Sequence, residues 1–258
     1  MVCGCDIGSL TAKAVILENG KILSSEVMRS TSRPHEAAEE VISKALLKIP
    51  ASQKDIQMLV GTGYGKDRIP FVNDVQSEIA CHAKAAKWLM PSVKMVIDIG
   101  GQDAKAIKVN EDGSIKKYVY NEVCATGTGR FLEIMAEALG VELEKMGELS
   151  LKAENPVSIS SQCVVFAETE VISLVNEGKH LNDILGGLHK SLAQRVVSLA
   201  RSIIIEQDVT FTGGVAKNIG VYQTIEKELG VTLKKMDQID PQIMGALGAA
   251  LFAIEKSG

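Results

Sequence analysis

No run of apolar residues in this sequence approaches the ~20 residues that a helix needs to cross a membrane. The first eight residues, MVCGCDIG, lack the basic and then apolar pattern of a secretion signal. An excess of positive charge is also missing, because the sequence has 28 basic and 32 acidic residues. We therefore expect a cytoplasmic protein that binds neither a membrane nor nucleic acid.

Cysteine is scarce, and its pattern excludes a disulfide framework. The chain has five cysteines, an odd number, and no export signal, so we expect reduced thiols. Cys3 and Cys5 alternate in an apolar stretch and Cys81 lies in the helical segment EIACHAK, which predicts structural burial for all three. Cys124 and Cys163 differ, because each stands just before a predicted helix, where the thiol pKa is lowered and anions are favoured.

Two common nucleotide-binding motifs are absent as well. The chain has no G-x-x-x-x-G-K-[ST] loop, and the segment GTGYG at 61–65 does not match G-x-G-x-x-G. If the protein binds a nucleotide, it therefore uses neither a P-loop nor a Rossmann fingerprint. At 258 residues, with an apolar share of 46%, the chain is long enough for two lobes of ordinary size.

The sequence contains an internal duplication of one short motif. DIGSLTAKAVI at 6–16 and DIGGQDAKAIK at 98–108 share Asp-Ile-Gly and then Ala-Lys-Ala, at an offset of 92 (98 − 6). Each segment is followed by a hairpin signal, Asn19-Gly20 in the first and Asp112-Gly113 in the second. Each copy is therefore predicted to fold as strand, glycine turn, strand, turn and strand.

Helical and strand patterns follow each copy. The spacing of apolar residues predicts helices at 34–49, 76–89, 130–139, 166–177, 182–206 and 241–253, a further helix after Gly214, and strands at 57–60 and 209–212. We predict an α/β protein with a first lobe over 1–92, a second lobe over 93–258, and a ligand cleft between them. The C-terminal helix, with its small-residue pattern GALGAALFA, is a candidate to pack back on the first lobe.

Three glycine turns each follow a short apolar strand. They are Gly8-Ser9, Gly100-Gly101 and Gly213-Gly214. Such turns let backbone N–H groups approach a phosphate closely. Asp6 and Asp98 stand at strand ends, where carboxylates suit Mg²⁺ held through water. A duplicated strand–turn–strand with these turns resembles the actin, hexokinase and Hsp70 (ASKHA) superfamily, which implies a duplicated ribonuclease-H-like fold with a nucleotide cleft.

Three interpretations of Cys124 and Cys163 are open at this point: a nucleophile, a metal ligand and a small buried residue. A nucleophile needs a nearby base, and none of the histidines stands at a spacing that nominates one. Two thiolates do not complete a tetrahedral metal site or a cubane cluster, which usually takes four cysteines. A symmetric dimer would supply four.

A set of motifs spread over nearly the whole chain resembles one family. In chain order they are GSLTAK, TGYGK, SEIACHA, VIDIGGQDAKAI, NEVCATGTGRFLE, SSQCVVFAETEVISL, FTGGVAKN and GALGAALFA. They look like the activators (component A) of 2-hydroxyacyl-CoA dehydratases, in the BadF/BadG/BcrA/BcrD-type ATPase family. The two cysteine motifs are the most specific part of this resemblance.

The resemblance implies a homodimer that holds one [4Fe–4S] cluster through Cys124 and Cys163 of both subunits. It implies an ATPase that uses Mg²⁺ and drives a low-potential electron into an iron–sulfur dehydratase or reductase component, with ferredoxin or flavodoxin as the electron donor. Asp98, Gln102 and Asp103 would be the catalytic residues. The nucleotide would be bound by Asp6, Gly8, Ser9, Leu10, Thr11, Ala12, Lys13, Gly100, Gly101, Gly213, Gly214 and Gln242.

In these roles Ser9 to Lys13 would wrap the phosphates, and Gln102 with Asp103 would orient the attacking water. If these two residues have no catalytic or binding role, Asp103 would be a turn cap and Gln242 a surface glutamine. The chain departs from the family pattern at Leu10, where a second hydroxyl is usual, and at Lys217, where glutamine is common. It also has NEVCAT at 121–126 instead of the usual NDKCAA.

Two other functions are compatible with the same fold. A sugar or small-molecule kinase would need an aspartate base, and Asp98 or Asp103 could serve, but it has no need of two cysteines at helix starts. An actin-like assembly protein predicts concentration-dependent filaments, which a chain without large insertions disfavours.

Overall fold

The protein alternates strands and helices along the chain, as the apolar periodicity predicts. The computed structural model describes residues 1–121, 124–161, 163–236 and 239–257. The strands are β1 (Val2–Ile7), β2 (Thr11–Glu18), β3 (Lys21–Arg29), β4 (Met58–Thr62), β5 (Asp74–Val75), β6 (Met95–Ile99), β7 (Ala104–Val109), β8 (Ile115–Asn121) and β9 (Val209–Thr212). The helices are α1 (Pro34–Leu46), α2 (Glu78–Leu89), α3 (Gly129–Leu139), α4 (Met146–Ser150), α5 (Val164–Asn176), α6 (Leu181–Arg201), α7 (Ile219–Leu229) and α8 (Met244–Ser257).

The two copies of the duplicated motif build two sheets with corresponding strand orders, and the first sheet has one additional edge strand, β5. The first sheet has the order β3-β2-β1-β4-β5, and the second has the order β8-β7-β6-β9. In the first sheet β2 is antiparallel to β1 and β3, whereas β4 is parallel to β1. The predicted hairpin turn at Asn19-Gly20 has φ of 50° and 72°, which is the left-handed geometry that joins antiparallel strands with a native twist.

The chain divides into two compact units. The first contains Met1–Val96, Ile107–Lys117 and Met236–Gly258, and the second contains Ile97–Ala106 and Tyr118–Lys235. The lobe boundary predicted near residue 92 stays a prediction. The C-terminal helix α8 belongs to the first unit and packs against β1, β2, β4 and α2.

In the first unit the sheet is covered on both faces. Alternate residues of β1, among them Cys3 and Cys5, join α1 in one core. The opposite face packs against α2 and α8. A Cβ on Gly4 would lie 1.9 Å from the carbonyl oxygen of Ala246, so only glycine lets the backbone of α8 approach β1 this closely. This contact explains the small-residue pattern of the C-terminal helix.

The second unit is organised around the long helix α6, which packs against α4 and α7. A buried polar network joins these helices: His189 Nδ1 lies 2.7 Å from Ser150 Oγ, and Asn218 Nδ2 lies 3.3 Å from His189 Nε2. Asn218 also caps α7, where its Oδ1 accepts from Val221 N–H. The pKa of His189 is lowered to about 4 by burial, so this imidazole is neutral at neutral pH.

One expected helix end needs correction. The helix predicted over 182–206 ends at Arg201, because Ile204 takes a left-handed backbone with φ of 59°. The run of three isoleucines at 203–205 looks helical by hydrophobicity, but β-branched residues favour helix only weakly. The short elements β5 and α4 carry too few residues for a periodic signal, and the sequence did not predict them. Among the helices of the described ranges, none is long and apolar enough to span a membrane.

Candidate functional site

The first unit buries a carboxylate at the end of β1. Asp6 is 2% exposed and pairs with Lys13 across the β1–β2 register, with 3.1 Å between Lys13 Nζ and Asp6 Oδ2. Burial raises the pKa of Asp6, and the charge of Lys13 opposes that rise. The other oxygen, Oδ1, has no hydrogen-bond partner in the described part of the chain. A buried carboxylate oxygen in this state costs free energy unless a further group binds it.

Two glycines make room for this carboxylate. A Cβ on Gly63 would lie 2.3 Å from Asp6 Oδ1, and a Cβ on Gly245 would lie 2.8 Å from Oδ2. Gly63 also has φ of 85°, which disfavours any other residue. A hard, oxygen-liganded cation is the group that such an oxygen suits. Asp6 therefore fits the predicted Mg²⁺ site chemically.

The second unit repeats this arrangement with different partners. Asp98, at the end of β6, is 2% exposed, and its Oδ1 accepts a 2.8 Å hydrogen bond from Thr212 Oγ1. Lys105 is the counterpart of Lys13 in the duplication. Its Nζ lies 3.3 Å from Asp98 Oδ2 and 2.5 Å from Asp103 Oδ2. Both predicted catalytic aspartates therefore share one buried lysine.

The predicted catalytic residues around this turn have different surroundings. Gly100 N–H donates to the carbonyl of Asp103 at 2.9 Å, so Asp103 also closes the β6–β7 turn. A Cβ on Gly100 would lie 2.4 Å from Asp103 Oδ1, which explains the glycine at this position. Gln102, between them, is exposed. Gly213 follows β9 with φ of 86°, and a Cβ there would lie 2.3 Å from the carbonyl oxygen of Ile99.

The remaining nucleotide candidates lie near these turns in their own units. In the first unit Gly8 N–H donates to Thr11 O at 3.0 Å, Leu10 O accepts from Ser30, and β2 begins at Thr11. Gln242 lies in a short 3₁₀ turn, where its N–H donates to Asp240 Oδ1. In the second unit, Gly214 opens the 3₁₀ turn that ends at Lys217.

The glycine turn of the second unit is bonded to the start of α3. Gly129 N–H donates to Gly100 O at 2.9 Å, and Arg130 N–H donates to Gly101 O at 2.8 Å. These are N–H groups of the first turn of a helix, which otherwise lack intrahelical partners. Cys124 stands five residues before Gly129. The turn predicted to bind phosphate is therefore connected by hydrogen bonds to the segment that carries a candidate metal ligand.

The cysteines divide as the sequence predicts. Cys3, Cys5 and Cys81 are fully buried, and burial raises the pKa of each thiol, to about 12 for Cys3 and Cys81. Cys163 is exposed and Cys124 is half-buried. Only these two of the five thiols are accessible to solvent.

Both accessible thiols precede helices that pack together. Cys124 is the N-cap of a 3₁₀ turn that leads into α3, Cys163 is the N-cap of α5, and α3 packs against α5. The Thr126 hydroxyl, 3.3 Å from Cys124 Sγ, lowers the pKa of that thiol, and the charge of Arg195 contributes in the same direction. Glu122, Val123 and Gln162, which belong to the two cysteine motifs, lie outside the described residues.

Sequence reasoning missed four residues of these sites: Lys105, Thr212, Glu170 and Arg195. The Ala-Lys-Ala repeat contained a signal for Lys105, because Lys13 occupies the same place in the first copy. Thr212 had a weaker signal, since Thr62-Gly63 and Thr212-Gly213 both end the strand beside the aspartate. Glu170 and Arg195 had none, because their contacts with the Cys163 loop join positions distant in the chain.

Comparisons with known proteins identify the family of this chain. A model of the BadF/BadG/BcrA/BcrD ATPase family matches residues 3–253. The activator of lactoyl-CoA dehydratase from Anaerotignum propionicum is 45% identical, with 98% of this chain and 96% of that protein covered. The (R)-2-hydroxyglutaryl-CoA dehydratase activating ATPase of Acidaminococcus fermentans is 43% identical, with 98% and 97% covered.

Solved structures give the same result. The activator of the 2-hydroxyisocaproyl-CoA dehydratase from Clostridium difficile, with bound ADPNP, has a TM-score of 0.93 and 39% identity, with 99% of this chain and 95% of that chain covered. A ROK family glucokinase from Streptomyces griseus has a TM-score of 0.58 at 14% identity, with 98% of this chain and 99% of that chain covered. This second likeness concerns the fold alone. The predicted actin- and hexokinase-like α/β fold is thereby confirmed.

Proposed function

This chain belongs to the BadF/BadG/BcrA/BcrD ATPase family, and on that premise we propose that it is an ATP-dependent reductive activator. In this proposal a homodimer holds one [4Fe–4S] cluster and uses ATP hydrolysis to deliver a low-potential electron to a partner iron–sulfur enzyme. The observation that carries the proposal is the pair of accessible thiols, Cys124 and Cys163, at the starts of two helices that pack together.

The residues fit such a cluster chemically. Cluster ligands are thiolates, and the lowered pKa of Cys124 favours that form. A helix N-terminus favours negative charge, and each accessible thiol precedes one. Four thiolates are usual, and one chain offers two accessible ones, so two copies complete the set. When bound, the cluster would supply one-electron redox chemistry.

Exposed apolar side chains beside Cys163 support a second copy of this chain as the neighbour. Val165 and Phe166, the second and third residues of α5, are 65% and 68% exposed, and Ile172 and Val175 follow on the same helix. Apolar surface at this density is unfavourable in water and typical of a contact surface. A dimer contact here would bury it beside the ligand that the two subunits share.

The nucleotide would bind at the glycine turns of the two copies. Backbone N–H groups of the segment from Gly8 to Lys13 and of Gly100-Gly101 would approach the phosphates, and Gly213-Gly214 and Gln242 would contact the adenosine side. Asp6 would hold Mg²⁺, which supplies positive charge to the phosphates, and Asp98 would act with it. Gln102, exposed on the turn, would orient the attacking water with Asp103.

The hydrogen bonds from Gly129 and Arg130 to the Gly100-Gly101 carbonyls support coupling between the two sites. A ligand shifts an equilibrium only through its differential affinity for two states. A turn that changes its backbone between the ATP and ADP states would alter these bonds, and with them the start of α3. The Cys124 segment would then respond to the nucleotide through direct contact.

The partner we propose is a 2-hydroxyacyl-CoA dehydratase, because the two relatives and the 39%-identical solved structure described above are named as activators of such enzymes. A ferredoxin or flavodoxin would be the electron donor. The kinase alternative shares the fold, but it leaves the two accessible thiols without a role.

Anaerobic purification tests the proposal. We expect brown protein, four iron and four sulfide per dimer, a dimeric mass by light scattering, and ATP hydrolysis that accompanies reduction of a dehydratase component. Colourless protein with no iron after anaerobic reconstitution would contradict it. Phosphorylation of a sugar by the same preparation would favour the kinase instead.

A further inference from the structure

The segment before Cys163 is fixed by a carboxylate from the following helix. Glu170 Oε1 accepts from Ser160 N–H at 2.8 Å and from Ser160 Oγ at 2.9 Å, and Oε2 accepts from Ser161 N–H at 2.8 Å. Burial alone would raise the pKa of Glu170, but these hydrogen bonds hold it at about 2. Glu170 is therefore ionised at neutral pH and fixes two consecutive backbone N–H groups on the donor side of the segment.

The acceptor side of the same segment is held from a different helix. Arg195, on α6, donates from Nη2 to the carbonyl of Ser161 at 3.4 Å. Its Nε is buried and has no hydrogen-bond partner within the described ranges. Ser161 is thus held at its N–H by Glu170 and at its carbonyl by Arg195, two residues before Cys163.

Arg195 also borders the other cysteine segment. A Cβ on Gly127, three residues after Cys124, would lie 3.9 Å from Arg195 Cβ, and α6 packs against the 3₁₀ turn that contains Gly127. The base of the arginine therefore lies beside the Cys124 segment, and its guanidinium contacts the Cys163 segment. Among the described residues that we have placed at these sites, Arg195 is the one that borders both segments.

The position of Arg195 between the two cysteine segments affects how Cys124 and Cys163 would be held as ligands of one cluster. Two ligands from distant parts of a chain must be kept at a fixed separation, and a rigid guanidinium on a 21-residue helix can do so. The same group brings a permanent positive charge that acts on the Cys124 thiol, and it contacts the backbone two residues before Cys163. A fixed positive charge stabilises the more negative, reduced form of a cluster and so raises its reduction potential.

We propose that Arg195 is a positioning residue that ties the Cys124 and Cys163 segments into one preformed ligand pair, with Glu170 as its counterpart on the Cys163 side. This inference rests on the proposed cluster. In the protein without cluster the Ser160-Ser161 segment is already ordered, and in the loaded protein Arg195 sets the reduction potential of the cluster and its resistance to chelation.

The test compares four variants with two matched controls. Arg195→Met removes the charge and keeps the stem, Arg195→Lys keeps the charge and removes the planar fork, and Glu170→Gln removes one carboxylate acceptor. The fourth, Arg195→Met with Glu170→Gln, removes both contacts. The controls are Lys190→Met, an exposed cation on α6, and Glu168→Gln on α5. Circular dichroism and dimer mass identify any variant that fails to fold.

The first readout needs no cluster. In cluster-free protein we expect amide exchange at Ser160 and Ser161 to be at least about tenfold faster in Glu170→Gln and Arg195→Met than in the controls. Unchanged exchange in both variants would overturn the preformed pair, whether or not the wild-type protein binds iron.

The second readout is the potential of the loaded protein, followed by electron paramagnetic resonance. We expect Arg195→Met to disfavour reduction about tenfold, which is about 59 mV for one electron. We expect Arg195→Lys to stay nearer to wild type in potential but to lose iron to a chelator faster. Equal potentials and chelation rates in Arg195→Met and Lys190→Met would overturn the inference. Wild-type protein that takes up no iron would overturn the proposed function instead.

Discussion

The two copies of the strand–turn–strand motif hold almost the same residues in different surroundings. Each ends its first strand with a buried aspartate, pairs it with a lysine seven residues later, and faces a glycine with φ near 85°. In the second unit Thr212 donates to Asp98 Oδ1. In the first unit the corresponding Thr62 donates to Gln76 O instead, so Asp6 Oδ1 has no partner in the described residues.

The different hydrogen bonds of Asp6 and Asp98 show how two copies of one motif can acquire different roles. The first copy keeps a carboxylate oxygen available for a cation, whereas the second satisfies its carboxylate and connects its glycine turn to the start of α3. The accessible thiols follow the same division, because both lie in the second unit and the first unit has only buried cysteines. We infer that the first copy serves cation binding and that the second copy couples the glycine turn to the cysteine segments.

The largest expected effect concerns the thiols. Cys124→Ser and Cys163→Ser should each abolish cluster assembly, because serine does not replace a thiolate on iron and each chain supplies only two accessible ligands. Cys81→Ser, in the first unit, should keep the full cluster. Iron and sulfide analysis of anaerobic preparations measures this, and a complete cluster in either of the first two variants would refute the ligand assignment.

The next effect separates the two carboxylates. Asp98→Asn should reduce ATP turnover by about 10²- to 10³-fold with little change in nucleotide affinity, because it acts on charge that develops in the transition state. Asp6→Asn should instead weaken the dependence of nucleotide binding on Mg²⁺, since the candidate ligand is Asp6 Oδ1, which has no hydrogen-bond partner among the described residues. Calorimetry with and without Mg²⁺, together with turnover, decides between them. Equal losses of nucleotide affinity in both variants would contradict the separate roles proposed for Asp6 and Asp98.

Acid should affect a buried histidine of the second unit and a buried carboxylate of the first unit in opposite directions. The pKa of His189 in the second unit is about 4 in the folded protein against 6.5 unfolded, so its contribution to stability is present above pH 6.5 and is lost as the pH falls towards 4. The loss is on the order of 3 kcal/mol. The pKa of Asp6 in the first unit is raised, so its burial becomes less unfavourable as the pH falls.

The measurement is urea unfolding between pH 7 and pH 4, followed with a probe in each unit. His189→Gln should flatten the pH dependence reported by the second unit, and Glu168→Gln serves as the control. If the free energy of unfolding of His189→Gln depended on pH as it does in the wild-type protein, a group other than His189 would control the acid sensitivity of the second unit.

The smallest expected effect tests the hydroxyl that distinguishes the copies. Thr212→Val should lower the free energy of unfolding by about 2 kcal/mol, because it removes a hydroxyl that donates to a buried, charged carboxylate. Thr62→Val should cost about 1 kcal/mol, since the acceptor that it leaves is a neutral carbonyl. Denaturation midpoints measure both, and a larger cost for Thr62→Val would reverse the comparison.

Much of the fold was predictable because its signals are local. The Asn19-Gly20 turn, the alternation in β1 and β2, and the apolar periodicity of α2 each lie within a few residues, and the structure has them within one or two positions. The end of α6 was wrong by five residues, because the chain leaves the helical conformation before Ile204, whose side chain is 76% exposed, and apolar periodicity does not predict that change.

The duplication, the glycine turns and the separation of the cysteines into three buried and two accessible follow from spacing and residue type, so they were predictable before the fold was known. The packed fold was needed to show that Lys105 joins Asp98 to Asp103, that Thr212 donates to one carboxylate while Asp6 Oδ1 has no hydrogen-bond partner among the described residues, and that Arg195 borders both cysteine segments. These contacts join residues distant in the chain, and hydrogen bonds and ion pairs depend on distances of a few tenths of an ångström that only the packed fold sets.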